Sequence, residues 1–249
     1  MKKNCPDPVY RRRYEQKYLL NPFQYREIME IMKTIARNDE FGLTTIYSLY
    51  YDTVDFKIAR RALRKSAYRE KLRLRSYGAA GGGDMVYLEL KKKLGGLTYK
   101  QRIPVRVSDM QRGRYAPSPH PDGGGRHDFN EINWFLNYHK PSPRFMICCD
   151  RTAFRGIYDE ALRITFDTHV RCRLSELDFS SGSHGCPIIG GDEYLMELKT
   201  DKSIPLFLSR HLSRLNIMPV SFSKHRRAYE ILYCGAREIS DRREEERYA

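Results

Sequence analysis

The sequence predicts an α+β fold, one domain built on an antiparallel sheet or barrel with helices near its start, middle and end. Three observations predict it. About eight stretches read as strands, either β-branched and aromatic or alternating between apolar and charged side chains. Several of them follow one another across glycine-rich turns, as hairpins do. Stretches with helical spacing fall between and after the strands, and neither an internal repeat nor a clean linker divides the chain.

The first ten residues, 1–10, read as a loose tail. The run RRRYEQKYLL then sets Arg13, Glu15 and Lys17 on one side and Tyr14, Tyr18 and Leu20 on the other, because side chains alternate along a strand. Asn21-Pro22 starts a helix: asparagine is a good N-cap, and proline lacks an N–H that the first turn could not use anyway. That helix carries Phe23, Ile28, Met29, Ile31, Met32 and Ile35. TTIYSLYYDT is the second strand, and DFKIARRALRK is a short basic helix. A three-strand meander follows: SAYREKLRLRSYG, MVYLELKKKLGG and LTYKQRIPVRV, joined by AAGGGD and by a Gly-Gly turn. The proline- and glycine-rich region 113–127 is a loop. HDFNEINWFLNYH is a short helix with Trp134, Phe135 and Tyr138 on its apolar, core-packing side. RFMICCDRTAFRG, ALRITFDTHVRCRL and EYLMELKT are strands, with a polar, glycine-rich loop over 178–192. The helices IPLFLSRHLSRLN and FSKHRRAYEILYC complete a domain over 11–235, before a charged tail, 236–249.

Composition narrows the function. The 249 residues are 41% hydrophobic and 12% aromatic, enough to build a core. No run approaches the ~18–20 apolar residues of a membrane-spanning helix, and the start has no apolar stretch of a secretory signal. The six cysteines show no C-x-x-C spacing, so free thiols in a reducing cytoplasm are expected rather than disulfides or zinc. The glycine runs do not follow P-loop spacing, and the histidines are scattered. What remains is a net charge of +14, which calls for an anionic partner: nucleic acid, an acidic membrane or a small polyanion.

Strand register locates that charge. Arg69, Lys71, Arg73 and Arg75 share one face of their strand, with Leu72 and Leu74 opposite. Glu89, Lys91 and Lys93 align on the next strand, and Lys100, Arg102 and Arg106 on the one after. Arg163, Asp167, His169, Arg171 and Arg173 align later in the chain, as do Glu193, Glu197 and Lys199. A sheet with one wet face gives the same alternation. Here, however, most of the charge has one sign, and like charges directly across strands destabilise a sheet unless something anionic neutralises them. Eight strands are also about the number that closes into a barrel around a small ligand. Glu15, Glu89 and Glu197 each precede a lysine by two residues, so each strand presents a carboxylate and an ammonium to the same space. Carboxylates beside phosphate oxygens suit Mg²⁺ or Mn²⁺.

These residues resemble a known family. EQKY at 15–18, SLYYDT at 48–53, KLRLRSYG at 71–78, LELKKK at 88–93, DRTAFRG at 150–156, LRITFDT at 162–168, MELKT at 196–200 and FSKHRRAY at 222–229 resemble, in order, the VTC domain. This is the polyphosphate polymerase domain of the vacuolar transporter chaperone complex and its bacterial relatives, within the CYTH or triphosphate tunnel metalloenzyme superfamily. The resemblance implies a closed antiparallel eight-strand barrel, a triphosphate tunnel fold, with surrounding helices. It implies transfer of the γ-phosphoryl group of ATP to a growing polyphosphate chain, assisted by Mn²⁺ or Mg²⁺, in a cytoplasmic enzyme. By position it implies Arg73, Arg75, Lys91, Arg151, Arg163 and Lys224 as catalytic residues, all of them cationic. Lys17, Arg69, Lys71, Lys100, Arg102 and Lys199 would bind substrate, and Glu197, Glu89 and Glu15 would hold the metal.

The chain departs from the family in places. Eukaryotic members add a phosphate-sensing SPX domain and membrane helices, which are not read here, so regulation and translocation are not expected from this chain. A lysine that often precedes the final Ser-Lys is replaced by the Pro219–Phe222 stretch. The expected partners are ATP, polyphosphate and pyrophosphate, with no nucleic acid; a membrane-protein partner is not visible in the sequence. The rival readings are a triphosphatase or tripolyphosphatase of the same fold, and a non-enzymatic module binding RNA or polyphosphate.

Overall fold

The computed structural model describes residues 14–64, 66–95, 97–113, 126–201 and 203–234. The two expected tails, 1–10 and 236–249, and most of the 113–127 loop lie outside the described residues. The strands are β1 (Tyr14–Leu20), β2 (Ala36–Asn38), β3 (Thr44–Asp52), β4 (Tyr68–Tyr77), β5 (Met85–Leu94), β6 (Leu97–Arg106), β7 (Ser142–Gly156), β8 (Arg163–Arg173), β9 (Cys186–Pro187) and β10 (Tyr194–Thr200). The helices are α1 (Pro22–Ile35), α2 (Lys57–Leu63), α3 (Val107–Gln111), α4 (Arg126–His139), α5 (Leu206–Arg214) and α6 (Lys224–Tyr229), the last running into a π-helical turn, Glu230–Cys234. Strands β7 and β8 each run through two compact units.

The first unit comprises the chain up to Gly42, Thr152–Phe166 and Asp192–Ser221. Here β1 pairs antiparallel with β10, from Tyr14 opposite Thr200 to Leu20 opposite Tyr194. The short β2 pairs with the end of β7. Helix α1 begins as its sequence foretells. The Asn21 side chain accepts from the Gln24 N–H at 2.8 Å, and the Gln24 side chain accepts from the Asn21 N–H at 3.1 Å. This reciprocal capping box satisfies two donors that the helix start would otherwise leave open. Ile28 and Met32 of α1 then pack with Leu20, Phe166, Leu198 and Leu208 in one core.

The second unit comprises Leu43–Arg151, Asp167–Gly191 and the chain from Phe222. Strand β3 lies between β7 and β4, and β4, β5 and β6 form the expected meander. Leu72, Leu74, Leu88, Leu90, Ile103 and Val105 share one face and are buried beneath Ile132, Phe135 and Leu136 of α4. Each such side chain contributes roughly 1.5–3 kcal/mol when fully buried. A one-residue slip would turn the whole set to water, so this burial holds the register that aligns the opposite, charged face. Buried Asp52 ends β3 and accepts from the N–H groups of Ile58 and Ala59 at 3.0 and 2.9 Å, tying α2 to the strand.

Several expectations are corrected. The strand order is β1-β10-β8-β7-β3-β4-β5-β6, ending at β1 in the first unit and at β6 in the second. Among the described residues the sheet is open, not the expected closed eight-strand barrel. Closure needs the first and last strands to share a ladder, and strand number with a basic face does not supply one. Trp134 and Tyr138 do not pack into the core. Ile132, Phe135 and Leu136, spaced i, i+3 and i+4, already fill the inner face of α4. Trp134 and Tyr138 stack on each other outside it, 5.0 Å apart, 55% and 69% exposed. Alternation along β8 breaks at His169, whose φ is +45°. Arg173 is therefore buried with its Nη1 3.8 Å from the Cys148 sulfur, and it donates to the carbonyls of Glu176, Asp178 and His184. It holds the 178–192 loop rather than joining the charged face. Among the described residues, Cys148, Cys149, Cys172 and Cys186 are free, and no helix is long and apolar enough to cross a membrane.

Candidate functional site

The charged face of the second unit is assembled row by row from residues that stand opposite one another. One row is Phe145, Tyr50, Arg73, Glu89 and Arg102, contributed by β7, β3, β4, β5 and β6. The row on one side is Ile147, Ser48, Arg75, Tyr87 and Pro104. On the other side Lys71, Lys91 and Lys100 stand in line. Five strands thus line one face, and three of them, β4, β5 and β6, supply its bases.

Glu89 is the hub. Its carboxylate is 1% exposed and lies 2.8 Å from Arg73, 2.8 Å from Lys100, 3.5 Å from Arg102 and 3.9 Å from Arg75. Burial alone would raise its pKa; the charges of Arg73, Arg75 and Lys100 outweigh burial and hold it well below the usual carboxylate range. Arg73 also donates to the Tyr50 hydroxyl at 3.2 Å, and Arg75 to the Ser48 hydroxyl at 3.4 Å. The buried Tyr50 phenol is held below its ordinary pKa, because Arg73 and Arg75 overcome its desolvation. Arg75 is itself lowered by burial and by neighbouring Arg73 and Arg151.

A second carboxylate anchors the other end. Asp167 of β8 is fully buried and receives a two-pronged contact from Arg151 of β7, Nε to Oδ1 at 2.6 Å and Nη2 to Oδ2 at 2.8 Å. Lys224 of α6 donates to the same carboxylate. Burial opposes the charge of Asp167, but Lys224 and Arg151 keep its pKa well below the ordinary value. The buried Cys149 lies in the fields of Asp167, Lys224, Arg151 and Arg75; burial, then Asp167, pushes its thiol up to about 11, which leaves it neutral. Six cations, Arg73, Arg75, Lys100, Arg102, Arg151 and Lys224, therefore gather around two buried carboxylates, a surplus of four positive charges.

Further contacts set helix α6 in place. Ser223 caps it, accepting from the Arg226 N–H, and takes a bond from Lys71 at 2.9 Å. His225 is 1% exposed and packs on the rings of Tyr50 and Phe145, with centroids 4.9 and 5.3 Å away. Burial, with Lys71 and Arg73 facing it, pushes its pKa well below the ordinary histidine value.

A family model for the VTC domain matches residues 12–233, nearly the whole chain. The chain belongs to the VTC domain family. Membership places it among proteins of the phosphate-transfer kind. No curated protein matches significantly. Among solved structures, a candidate adenylate cyclase from Vibrio parahaemolyticus is similar at 13% identity and a TM-score of 0.44, over 85% of this chain and 94% of that one. The PH1819 protein of Pyrococcus horikoshii OT3 is similar at 13% identity and a TM-score of 0.39, over 83% and 92%. The Mediator head module of Schizosaccharomyces pombe is similar at 9% and 0.41, over 82% and 90%.

The remaining expected residues of this VTC domain fall elsewhere. In the first unit, Glu15 stands opposite Lys199 and Lys17 opposite Glu197, a two-by-two checkerboard on the β1–β10 ladder. Within each strand the pairs meet as well, Lys17 to Glu15 at 2.9 Å and Lys199 to Glu197 at 3.0 Å. Arg163, expected among the catalytic residues, reaches Asp39 at 3.3 Å in this unit. In the second unit Arg69 stands opposite Lys93, its Nε buried and without a hydrogen bond. Among the described residues no three His, Cys, Asp or Glu side chains gather at metal-binding distance. Glu15 and Glu197, diagonal neighbours with hard oxygen donors, fit an ion such as Mg²⁺ that fills its shell with water and phosphate oxygens. Glu89 fits less well, because four cations already engage it.

Asp167, Tyr50, Ser48 and His225 belong to the site and were not singled out from the sequence. Asp167 shares a face with charged neighbours in the alternation of β8, but its role as the anchor of Arg151 needs the pairing of separate strands. His225 follows the Ser223-Lys224 motif directly, which was the available signal.

Stability should follow these groups with pH. A neutral buried histidine charges only on unfolding, so stability is lost as pH falls below about 6.5. Glu89 and Asp167 have folded pKa values below their unfolded ones, so their contribution is full above about pH 5 and drains away as pH falls further. Melting temperatures measured by circular dichroism should therefore drop in two stages, and His225→Phe should remove the first. A profile flat from pH 7 to pH 3 would contradict both assignments.

Proposed function

We propose that this VTC domain is a polyphosphate polymerase that transfers the γ-phosphoryl group of ATP to the end of a growing polyphosphate chain. The observation that carries this reading is the surplus of four positive charges on one ordered sheet face and the start of α6, built around two buried carboxylates. Phosphoryl transfer asks a protein mainly for alignment and charge neutralisation, not for a nucleophile of its own. Arg73 and Arg75 can grip phosphate oxygens two at a time, since the guanidinium fork matches them. Lys100, Arg102, Lys91, Lys71 and Arg69 add charge along the same face, and Arg151 and Lys224 at its other end. The buried Glu89 and Asp167 keep the forks aimed, so that little reorganisation is needed as charge shifts in the transition state.

In the first unit, Lys17, Lys199 and Arg163 are proposed to contact phosphate as well. Glu15 and Glu197 would hold Mn²⁺ or Mg²⁺ there, whereas Glu89, in the second unit, is the weaker candidate on its own face. When bound, such an ion neutralises phosphate charge and polarises the transferring group.

The test is incubation of the full chain with ATP and Mn²⁺, with and without pyrophosphate as primer, and product length read on a gel. Long polymer is expected, with more formed when pyrophosphate is present. Release of free phosphate from ATP or tripolyphosphate without polymer would identify a triphosphatase instead. Tight RNA binding without turnover would overturn the enzymatic reading.

A further inference from the structure

We propose that Tyr77, Tyr87 and Arg102 form a subsite for the nucleobase of a nucleoside triphosphate, next to the phosphate-binding bases. The inference rests on the phosphate reading above and adds to it the residues that would hold the base. The Arg102 guanidinium lies over the Tyr87 ring, 3.6 Å from its centroid. It also sits 5.5 Å from the Tyr77 centroid and donates to the Tyr77 hydroxyl at 3.2 Å. The two rings meet edge to face, 6.1 Å apart and at 77°. The result is a flat cation fixed on an aromatic ring, with a second ring standing beside it. The Arg102 side chain is 34% exposed and Tyr77 is 50% exposed, so both are within reach of a ligand.

Position supports a base here rather than at the other end. Tyr77 follows Arg75 by two residues on the same face of β4, a separation of roughly 7 Å. That is about the span of a ribose between an α-phosphate and a base. At the opposite end of the rows, α6 covers the face, with His225 buried against Tyr50 and Phe145 and Ser223 bonded to Lys71. Phosphate chemistry has no use for an aromatic shelf, whereas every nucleobase has a face that stacks on aromatic rings and guanidinium planes. The shelf is held by packing before any ligand arrives, so ordering it costs little on binding.

The subsite separates two ligands that carry the same phosphates: ATP, which has a base, and inorganic tripolyphosphate, which has none. Binding of each to the full chain is measured by calorimetry at one fixed salt concentration. Tyr77→Ala should weaken ATP at least about fivefold, the lower end of what losing one base–aromatic stack costs. It should leave tripolyphosphate within twofold, which also shows that the variant is folded. Tyr77→Phe keeps the ring and should hold ATP within twofold. Equal weakening of both ligands by Tyr77→Ala would make Tyr77 a support for Arg75 and Arg102, and no weakening of either would leave it no role; both overturn the subsite. A loss of ATP binding in Tyr77→Phe as large as in Tyr77→Ala would assign the effect to the hydroxyl and overturn stacking. If the unaltered chain binds neither ligand, the phosphate reading itself fails, and the subsite with it.

Discussion

Replacing Arg73 by alanine should lower ATP-dependent polymer formation by about 10²-fold or more while the chain stays folded. The size follows from its place. Arg73 contacts Glu89 through two nitrogens and Tyr50 through a third, so its fork is fixed in the middle of the central row. Loss of a preorganised donor to a transition state typically costs 10²–10³-fold, about 2.7–4 kcal/mol. The fold should survive because Glu89 keeps Lys100 at 2.8 Å and Arg102 at 3.5 Å as counter-ions. Arg73→Lys should recover only part of the rate: it restores the charge but not the fork. The check is the rate of polymer formation beside the melting temperature. Near-normal polymer formation by a folded Arg73→Ala protein would remove Arg73 from the reaction.

Much of this site was legible because strand alternation is a strict rule. Leu72, Leu74, Leu88 and Leu90 declare the buried face of β4 and β5, so Arg73, Arg75 and Glu89 must share the other. The meander of β4, β5 and β6 was legible for the same reason, since short turns leave few alternative pairings. Helix α1 was announced by Asn21 and Pro22, whose cap chemistry is local. What failed was whatever depends on distant partners. A closed barrel was expected from strand number and from the family resemblance, but closure is a property of the first and last strands, which lie far apart in the chain. Arg173 was assigned to the charged face by counting in twos, and the left-handed residue His169 breaks that count. The three-residue β2 carries too little pattern to announce itself. Trp134 looked like core because large aromatics usually are; the narrower rule, i, i+3 and i+4 spacing through Ile132, Phe135 and Leu136, points elsewhere.

Asp167→Ala should be among the most destabilising single substitutions in the second unit, costing about 3–5 kcal/mol. Asp167 is fully buried and is the counter-ion of both Arg151, held in two-pronged contact, and Lys224 of α6. Removing it leaves two cations partly buried without their charge partner, beside Arg75, whose pKa burial and like charges already depress. The cost comes mainly from stranding those cations rather than from losing an attraction, because intact buried pairs contribute little net stability. This makes a second outcome expected. A polyanion should restore stability by taking the place of the carboxylate, so millimolar tripolyphosphate should raise the variant's melting temperature more than that of the unaltered chain. Urea unfolding, with and without tripolyphosphate, measures both effects. A loss below 1 kcal/mol would mean that solvation or other partners, not Asp167, stabilise the charges of Arg151 and Lys224. A large loss that tripolyphosphate cannot reverse would mean that the two cations do not face the ligand. If both expected effects appear, the carboxylate is a resident stand-in for phosphate charge, which explains how a face with so many like charges folds before its substrate arrives.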